Sequence, residues 1–150
     1  MRWLSFYRSS PDASSGPTYT QASFGYVVQT QDGAEGVVDV GMRSEYATLR
    51  EAIAAQALER LVAQCGDQAD VALDGLHFAP TITDPKKILC VGLNYKAHQE
   101  ETGRGGEGVP TVFVRFAAAQ MGHGEPMVRP RESASLDFEG EIAMIIGRGG

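Results

Sequence analysis

Two carboxylates two residues apart, Glu139 and Glu141, stand in the stretch Leu136-Asp137-Phe138-Glu139-Gly140-Glu141-Ile142-Ala143-Met144-Ile145-Ile146-Gly147. Alternate side chains of a strand share a face, so an extended backbone puts both carboxylates on one side, in line with Ala143 and Ile145. Phe138, Ile142, Met144 and Ile146 take the other face, which predicts a strand over 138–146 that is buried over its second half, where both faces are apolar. Carboxylates leading into a buried strand cost free energy unless something compensates them, and like charges this close push one pKa up. A divalent cation removes both penalties. Hard oxygen ligands with no Cys or His nearby select Mg²⁺ or Mn²⁺. The spacing also allows a strand that enters its sheet only at Ile142, with both glutamates solvated.

A second constellation is Val91-Gly92-Leu93-Asn94-Tyr95-Lys96-Ala97-His98-Gln99-Glu100-Glu101. An apolar run breaks at a glycine and opens into a short helix, on which His98 and Glu101 are spaced i, i+3 and share a face. A carboxylate beside a histidine favours the imidazolium and orients the ring, which is the wiring of a general base. An exposed helix with a fortuitous pair has the same spacing. Arg115, ending a strand, could grip a carboxylate bidentately. His123 lies between glycines in Gly122-His123-Gly124-Glu125-Pro126, where turn geometry explains the motif without catalysis. His77 lies among apolar neighbours and reads as a structural histidine. Gly103 to Gly108 lacks the strand–loop–helix context and the Lys-Ser/Thr of a phosphate loop, so nucleotide binding is rejected.

The elements that would position these groups follow from periodicity. Trp3–Tyr7, Phe24–Gln29 and Gly36–Val40 read as strands, the last two joined across Gln31-Asp32-Gly33, where Asp-Gly signals a hairpin. Ser9 to Ser23 is a turn-rich loop. Thr48 and Glu51 form a capping box ahead of Leu49, Ile53, Ala57 and Leu61, which predicts one helix over about 48–65, stopped by Gly66. Val71–Leu73 and Leu76–Phe78 are strand-like. Pro80 to Pro85 is an extended connector. Beyond it Ile88–Gly92 reads as a buried strand and Thr111–Phe116 as another. Residues 1–83 are therefore expected to form a small β-rich N-terminal domain with one helix and no chemical motif of its own. Residues 84–150 begin a second domain, giving an α+β, mostly β chain.

Composition sets the outer bounds. The 150 residues carry 13 Lys+Arg against 19 Asp+Glu, a net charge of −6, with 43% apolar residues. Such a chain builds one modest core and lacks the basic stripe that nucleic acid requires. Glycine, 18 of 150, is well above the usual ~7% and points to many turns. Residues 1–83 hold a net −5 and 84–150 a net −1, so most Lys and Arg lie where a small anion would bind rather than a polyanion. The apolar runs are too short to span a membrane, and the N-terminus lacks a signal-peptide core. Cys65 and Cys90 make no disulfide framework or metal spacing, which fits a reduced, cytoplasmic protein.

Lys87-Ile88-Leu89-Cys90-Val91-Gly92-Leu93-Asn94-Tyr95, then His98 and Glu101, then Pro110-x-x-Phe113, Gly122-His123-Gly124-Glu125-Pro126, Pro130 and Leu136-Asp137-Phe138-Glu139-Gly140-Glu141 together resemble the fumarylacetoacetate hydrolase family. The ordered pair Asn-Tyr-x-x-His-x-x-Glu and Asp-Phe-Glu-x-Glu is the specific part, and residues 1–83 resemble more loosely the small N-terminal domain of many members. The resemblance implies a mixed β-sandwich roll, incomplete here, and a divalent metal, Mg²⁺ or Mn²⁺. Glu139 and Glu141 fall on two of its metal ligands. His98 and Glu101 fall on a catalytic dyad carried by a short mobile helix, and Tyr95 joins Arg115 as a substrate-binding candidate. Substrates would be 2-oxo acids, with hydrolysis of an acylpyruvate or fumarylacetoacetate-like C–C bond as the leading expectation. Isomerisation, hydration or oxaloacetate decarboxylation are the alternatives, with a homodimer when full length.

The family's third carboxylate ligand and its pocket lysine would lie downstream of Gly150. The expectation is therefore an N-terminal piece of a longer protein, or a non-catalytic truncated product. The family often has Pro and Ser where Ala117 to Ala119 stand, which leaves the polarity of that wall open. A cupin-like metal barrel would need clustered histidines, whereas His77, His98 and His123 are scattered.

Overall fold

The computed structural model describes residues 1–8, 21–103, 108–136, 140–147 and 149. The chain divides into two units: Met1–Thr83 with Met121–Gly150, and Asp84–Gln120. The fold is mixed α+β, and every strand pairing among the described residues is antiparallel.

In the first unit alternating side chains build a five-stranded sheet. Its strands are β1 (Trp3–Tyr7), β2 (Ala22–Gln29), β3 (Glu35–Asp39), β4 (Val71–Ala72) and β5 (His77–Phe78), in the order β4-β3-β2-β1-β5. Phe24, Tyr26 and Val38 face one way and pack with Leu49, Ala52, Ala57 and Leu61 of the helical segment. Leu4, Phe6 and Val37 face the other way, against Val27, Leu73, Leu76 and Phe78. That is the period-2 division of a sheet apolar on both sides. The β2–β3 turn is closed by the Gly33 N–H on the Thr30 carbonyl at 3.0 Å, with Gly33 left-handed at φ 83°. Asp32 accepts from the Thr30 hydroxyl and the Ala34 N–H, and these bonds hold its carboxyl below the ordinary value. The loop expected over Ser9–Ser23 lies mostly on 9–20, outside the described residues, and residues 22–23 already belong to β2.

The single helix expected over 48–65 is two helices, α2 (Leu49–Ala54) and α3 (Leu58–Cys65), preceded by a four-residue helix, α1 (Val40–Arg43), absent from the sequence reading. Thr48 caps α2 through its hydroxyl on the Glu51 N–H, as expected, but Glu51 returns its bond to the Ala47 N–H rather than to Thr48. The break is a C-terminal cap with paired reverse bonds. Gln56 N–H donates to the Ile53 carbonyl and Ala57 N–H to the Ala52 carbonyl, with Gln56 left-handed at φ 52°. That is the Schellman arrangement, with buried Ala52 and Ala57 as its apolar contact. Ala and Gln are good helix formers, so tertiary burial of Ala57 and Leu61 overrides local propensity. A left-handed L-residue costs roughly 1–2 kcal/mol, and glycine escapes that cost while losing more chain entropy on folding. Gln56→Gly is therefore expected to stabilise the chain by about 0.5–1 kcal/mol in urea unfolding. A loss of stability would mean that the Gln56 side chain matters more than its backbone.

α3 stops at Gly66 (φ 72°), whose carbonyl accepts the Tyr26 hydroxyl. Burial pushes the Tyr26 phenol up, and burial likewise raises the neighbouring Cys65 thiol. Beneath α1 lies a charged cluster. Asp39, 1% exposed, takes both Arg8 Nε (2.8 Å) and Nη2 (3.0 Å), the Ser23 hydroxyl, and the Met42 N–H that caps α1. The Asp39 N–H donates to Asp70, which pairs with Arg43.

The second unit is an antiparallel hairpin, β6 (Ile88–Gly92) with β7 (Thr111–Arg115), carrying α4 (Lys96–Thr102) and a 3₁₀ turn at Ala117–Ala119. β6 is a strand, as expected, but it is not buried. Leu89 is 62% exposed and β7 is exposed throughout. Two strands alone leave both faces uncovered within the unit.

The third strand, expected over 138–146, is not formed over its described part. Residues 140–147 have no regular structure, and Ile142 and Met144 are each 83% exposed. A strand needs a neighbour to take its backbone hydrogen bonds, and neither sheet of the described residues includes 140–147. Among the described residues no helix is long and apolar enough to cross a membrane.

Candidate active site

The second unit holds four of the six residues singled out by sequence. β6 ends at Gly92, and the chain turns through Leu93, which is left-handed at φ 54°. Tyr95 is extended at the start of α4, where the Gln99 N–H closes the first helical bond on the Tyr95 carbonyl at 3.0 Å. Tyr95 is thus the residue before the first helical turn and is 42% exposed.

One turn along, His98 Nδ1 lies 3.8 Å from Glu101 Oε2. The distance is within ion-pair reach and longer than a hydrogen bond. The carboxylate thus faces the Nδ1 side of the ring. Thr102 donates its hydroxyl to the His98 carbonyl at 2.9 Å, and Gly103 (φ 64°) ends the helix. Along α4, Lys96, Ala97, Glu100 and Glu101 are exposed, whereas His98 and Gln99 are half-buried. The pair expected from i, i+3 spacing is therefore formed, with histidine on the more sheltered side.

Arg115 ends β7 opposite Ile88, at the other end of the hairpin from Gly92 and Thr111. Four residues of strand separate that end from the α4 junction, roughly 13 Å at the usual rise. Along the strands, Arg115 thus stands at the opposite end from the residue that leads into α4.

Glu141 belongs to the first unit and is exposed, and Glu139 lies outside the described residues. Among the described residues no group of three or more His, Cys, Asp and Glu is close enough to hold a metal ion. The donor set itself suits a hard divalent cation. Mg²⁺ is commonly held by one or two carboxylates, with water and substrate filling the remaining positions.

The Gly-His-Gly-Glu turn has a plain structural role within the first unit. Gly122 lies so close to β5 that a Cβ would come within 1.8 Å of the Phe78 carbonyl oxygen. Gly124 is left-handed (φ 83°) and the Glu125 N–H closes the turn on the Gly122 carbonyl at 3.2 Å. The turn then lays His123 edge-on against Phe78 and brings Glu125 to His77, whose ring also faces Tyr7. His77 is accordingly a structural histidine with a carboxylate partner. Sequence reasoning missed that partner, because 48 positions separate the two and no local period links them. Gly122→Ala is expected to cost about 2 kcal/mol or more, the range of backbone strain and overpacking. It should also release the His77–Glu125 pair, read by loss of the amide protection of residues 122–125.

A model of the fumarylacetoacetate (FAA) hydrolase C-terminal domain matches residues 87–150. Over 69 residues the chain is 39% identical to the oxaloacetate tautomerase fahd2, mitochondrial, of Xenopus laevis, covering 46% of this chain and 22% of that protein. Over 73 residues it is 36% identical to the oxaloacetate tautomerase FAHD2A, mitochondrial, of Homo sapiens, covering 49% and 23%. Over 65 residues it is 38% identical to the fumarylacetoacetate hydrolase domain-containing protein 2 homolog of Dictyostelium discoideum, covering 43% and 21%. The chain thus spans less than a quarter of the length of these three relatives. No solved structure matches.

Proposed function

Residues 87–150 belong to the fumarylacetoacetate hydrolase family, and from that premise we propose that this chain carries the proton-transfer pair of a divalent-metal-dependent enzyme acting on 2-oxo acids. The observation that carries the reading is the His98–Glu101 pair, 3.8 Å apart on a short helix directly after β6. Glu101 orients the ring through Nδ1 and stabilises the imidazolium that forms when Nε2 takes a proton. A 2-oxo acid offers such a proton on the carbon next to its carbonyl. Glu139 and Glu141 are the residues that would hold Mg²⁺ or Mn²⁺. When bound, the cation would polarise the 2-oxo carbonyl and so acidify that carbon.

His98 then abstracts the proton to leave an enolate and returns the proton to the enolate oxygen, which is the tautomerisation of a 2-oxo acid to its enol. The names of the relatives favour this reaction. The same base can instead activate water against a distal carbonyl, which gives the acylpyruvate-type hydrolysis expected from the motifs. Tyr95, at the start of the helix, would meet the substrate near the pair. Arg115 would grip a carboxylate of the substrate bidentately.

Residues 84–150 are read as the opening of a catalytic domain with the family's sandwich roll, residues 1–83 as its supporting N-terminal domain, and the full-length protein as a homodimer. Direct support for the metal would come from a Mn²⁺ titration followed by EPR, run beside a Glu139→Gln/Glu141→Gln double variant. Binding in the parent chain that falls at least tenfold in the variant is the expected result. Equal binding in both would remove these two glutamates from the ligand set.

A further inference from the structure

We infer that Gln99 is a positioning residue: by holding the Leu93 carbonyl, its side-chain amide fixes α4, and with it the His98–Glu101 pair, against the end of β6. The inference rests on the functional reading of that pair given above.

α4 has little of what usually keeps a helix in place. It is seven residues long, buries no side chain, has no side-chain cap from Tyr95, and carries no acidic residue in its first turn or basic residue in its last. Isolated helices shorter than ~12–15 residues are marginal in water. The Lys96–Glu100 pair stands 3.9 Å apart with both side chains largely exposed, the kind of contact that contributes least. The helix is also entered through a residue in an unfavourable conformation, since Leu93 is left-handed without being glycine. Such a turn persists only where its surroundings over-determine it.

Gln99 Nε2 donates to the Leu93 carbonyl, six residues back. Helical side chains lean toward the N-terminus, so the fourth residue of α4 is well placed to reach over the first turn to the residue that enters it. The bond closes a ring running from Leu93 through Tyr95 to Gln99. The residue adjoining the ring's last member is His98. Together His98 and Gln99 form the half-buried side of α4. One hydrogen bond therefore holds both the left-handed turn and the orientation of the histidine. Nothing in the local sequence marks Gln99, because a glutamine inside a helix reads as an ordinary helix former.

The test compares Gln99→Met, Gln99→Lys and Leu93→Gly in the full 150-residue chain. Met and Lys match Gln in helix propensity, but Met lacks the donor and Lys restores one. The ¹³Cα secondary shifts of residues 96–102 report helix population, and oxaloacetate enolisation with Mg²⁺ reports turnover. Gln99→Met is expected to halve the helix population at least and to lower kcat about tenfold with KM within twofold of the parent. Gln99→Lys should recover most of both. In the Leu93→Gly background, where the turn no longer opposes its conformation, the Gln99→Met effect should shrink. Unchanged shifts in Gln99→Met, or shifts that collapse while kcat stays, would overturn the role of Gln99. If the shifts behave as expected but the parent chain does not turn over oxaloacetate, the clasp stands and the chemistry assigned to the pair fails.

Discussion

Replacing Asp39 by alanine is expected to remove about 3 kcal/mol of stability, the largest loss foreseen for a single side chain in the first unit. Its carboxylate is buried and receives Arg8 through two guanidinium nitrogens, the Ser23 hydroxyl and the Met42 N–H. The hydrogen bond to Asp39 raises the Arg8 pKa above its ordinary value. Breaking a buried pair by removing one partner typically costs ~3–5 kcal/mol, because the other charge is left without compensation. Arg8 keeps 35% of its side chain exposed, so water can recover part of that loss, and the lower end of the range applies. The lost helix cap is worth about 1 kcal/mol of it. Asp39→Asn keeps an acceptor for the cap and the hydroxyl but not the charge, and should cost roughly half as much. Urea unfolding at constant m reads both values. A loss below about 1 kcal/mol for the alanine variant would show that Arg8 is equally well satisfied elsewhere.

The second large effect concerns chemistry. On the proposed function, His98→Ala should lower kcat for a 2-oxo acid by ~10²–10⁴, the usual contribution of a positioned general base, equivalent to about 3–5 kcal/mol of barrier. Glu101→Gln acts only through the ring and should cost nearer tenfold. Neither change should move stability by more than ~0.5 kcal/mol, since α4 buries no side chain. Turnover and unfolding therefore separate a catalytic loss from a folding one. Parent rates in both variants would take proton transfer away from this helix.

Where interactions are local, the sequence was informative. Trp3–Tyr7, the strands around Asp32-Gly33, the cap at Thr48 and the stop at Gly66 all rest on residues within a few positions of each other. The His98–Glu101 pair was legible for the same reason. What stayed hidden depends on distant partners. The break at Gln56 runs against helix propensity and is set by burial of Ala57 and Leu61 beneath the sheet. Asp39 reads as a polar residue ending a strand, because Arg8 and Asp70 each lie 31 positions away. The strand read from the alternation after Glu139 failed for the complementary reason. A period-2 pattern states which face a residue would take if a neighbouring strand were present, and it cannot supply that strand.

The docking of Gly122 on the Phe78 carbonyl also bears on how freely the chain can vary between them. Both contacting residues belong to the first unit, while Asp84–Gln120 lies between them in the sequence. Along the sequence the second unit is therefore an insertion between two parts of the first. Closure entropy grows only with the logarithm of loop length, about 0.6 kcal/mol for each doubling. The scaffold is thus nearly indifferent to how many residues the inserted hairpin and helix contain. Their length and sequence can drift under selection for chemistry alone, while the glycine that seals the loop admits no side chain.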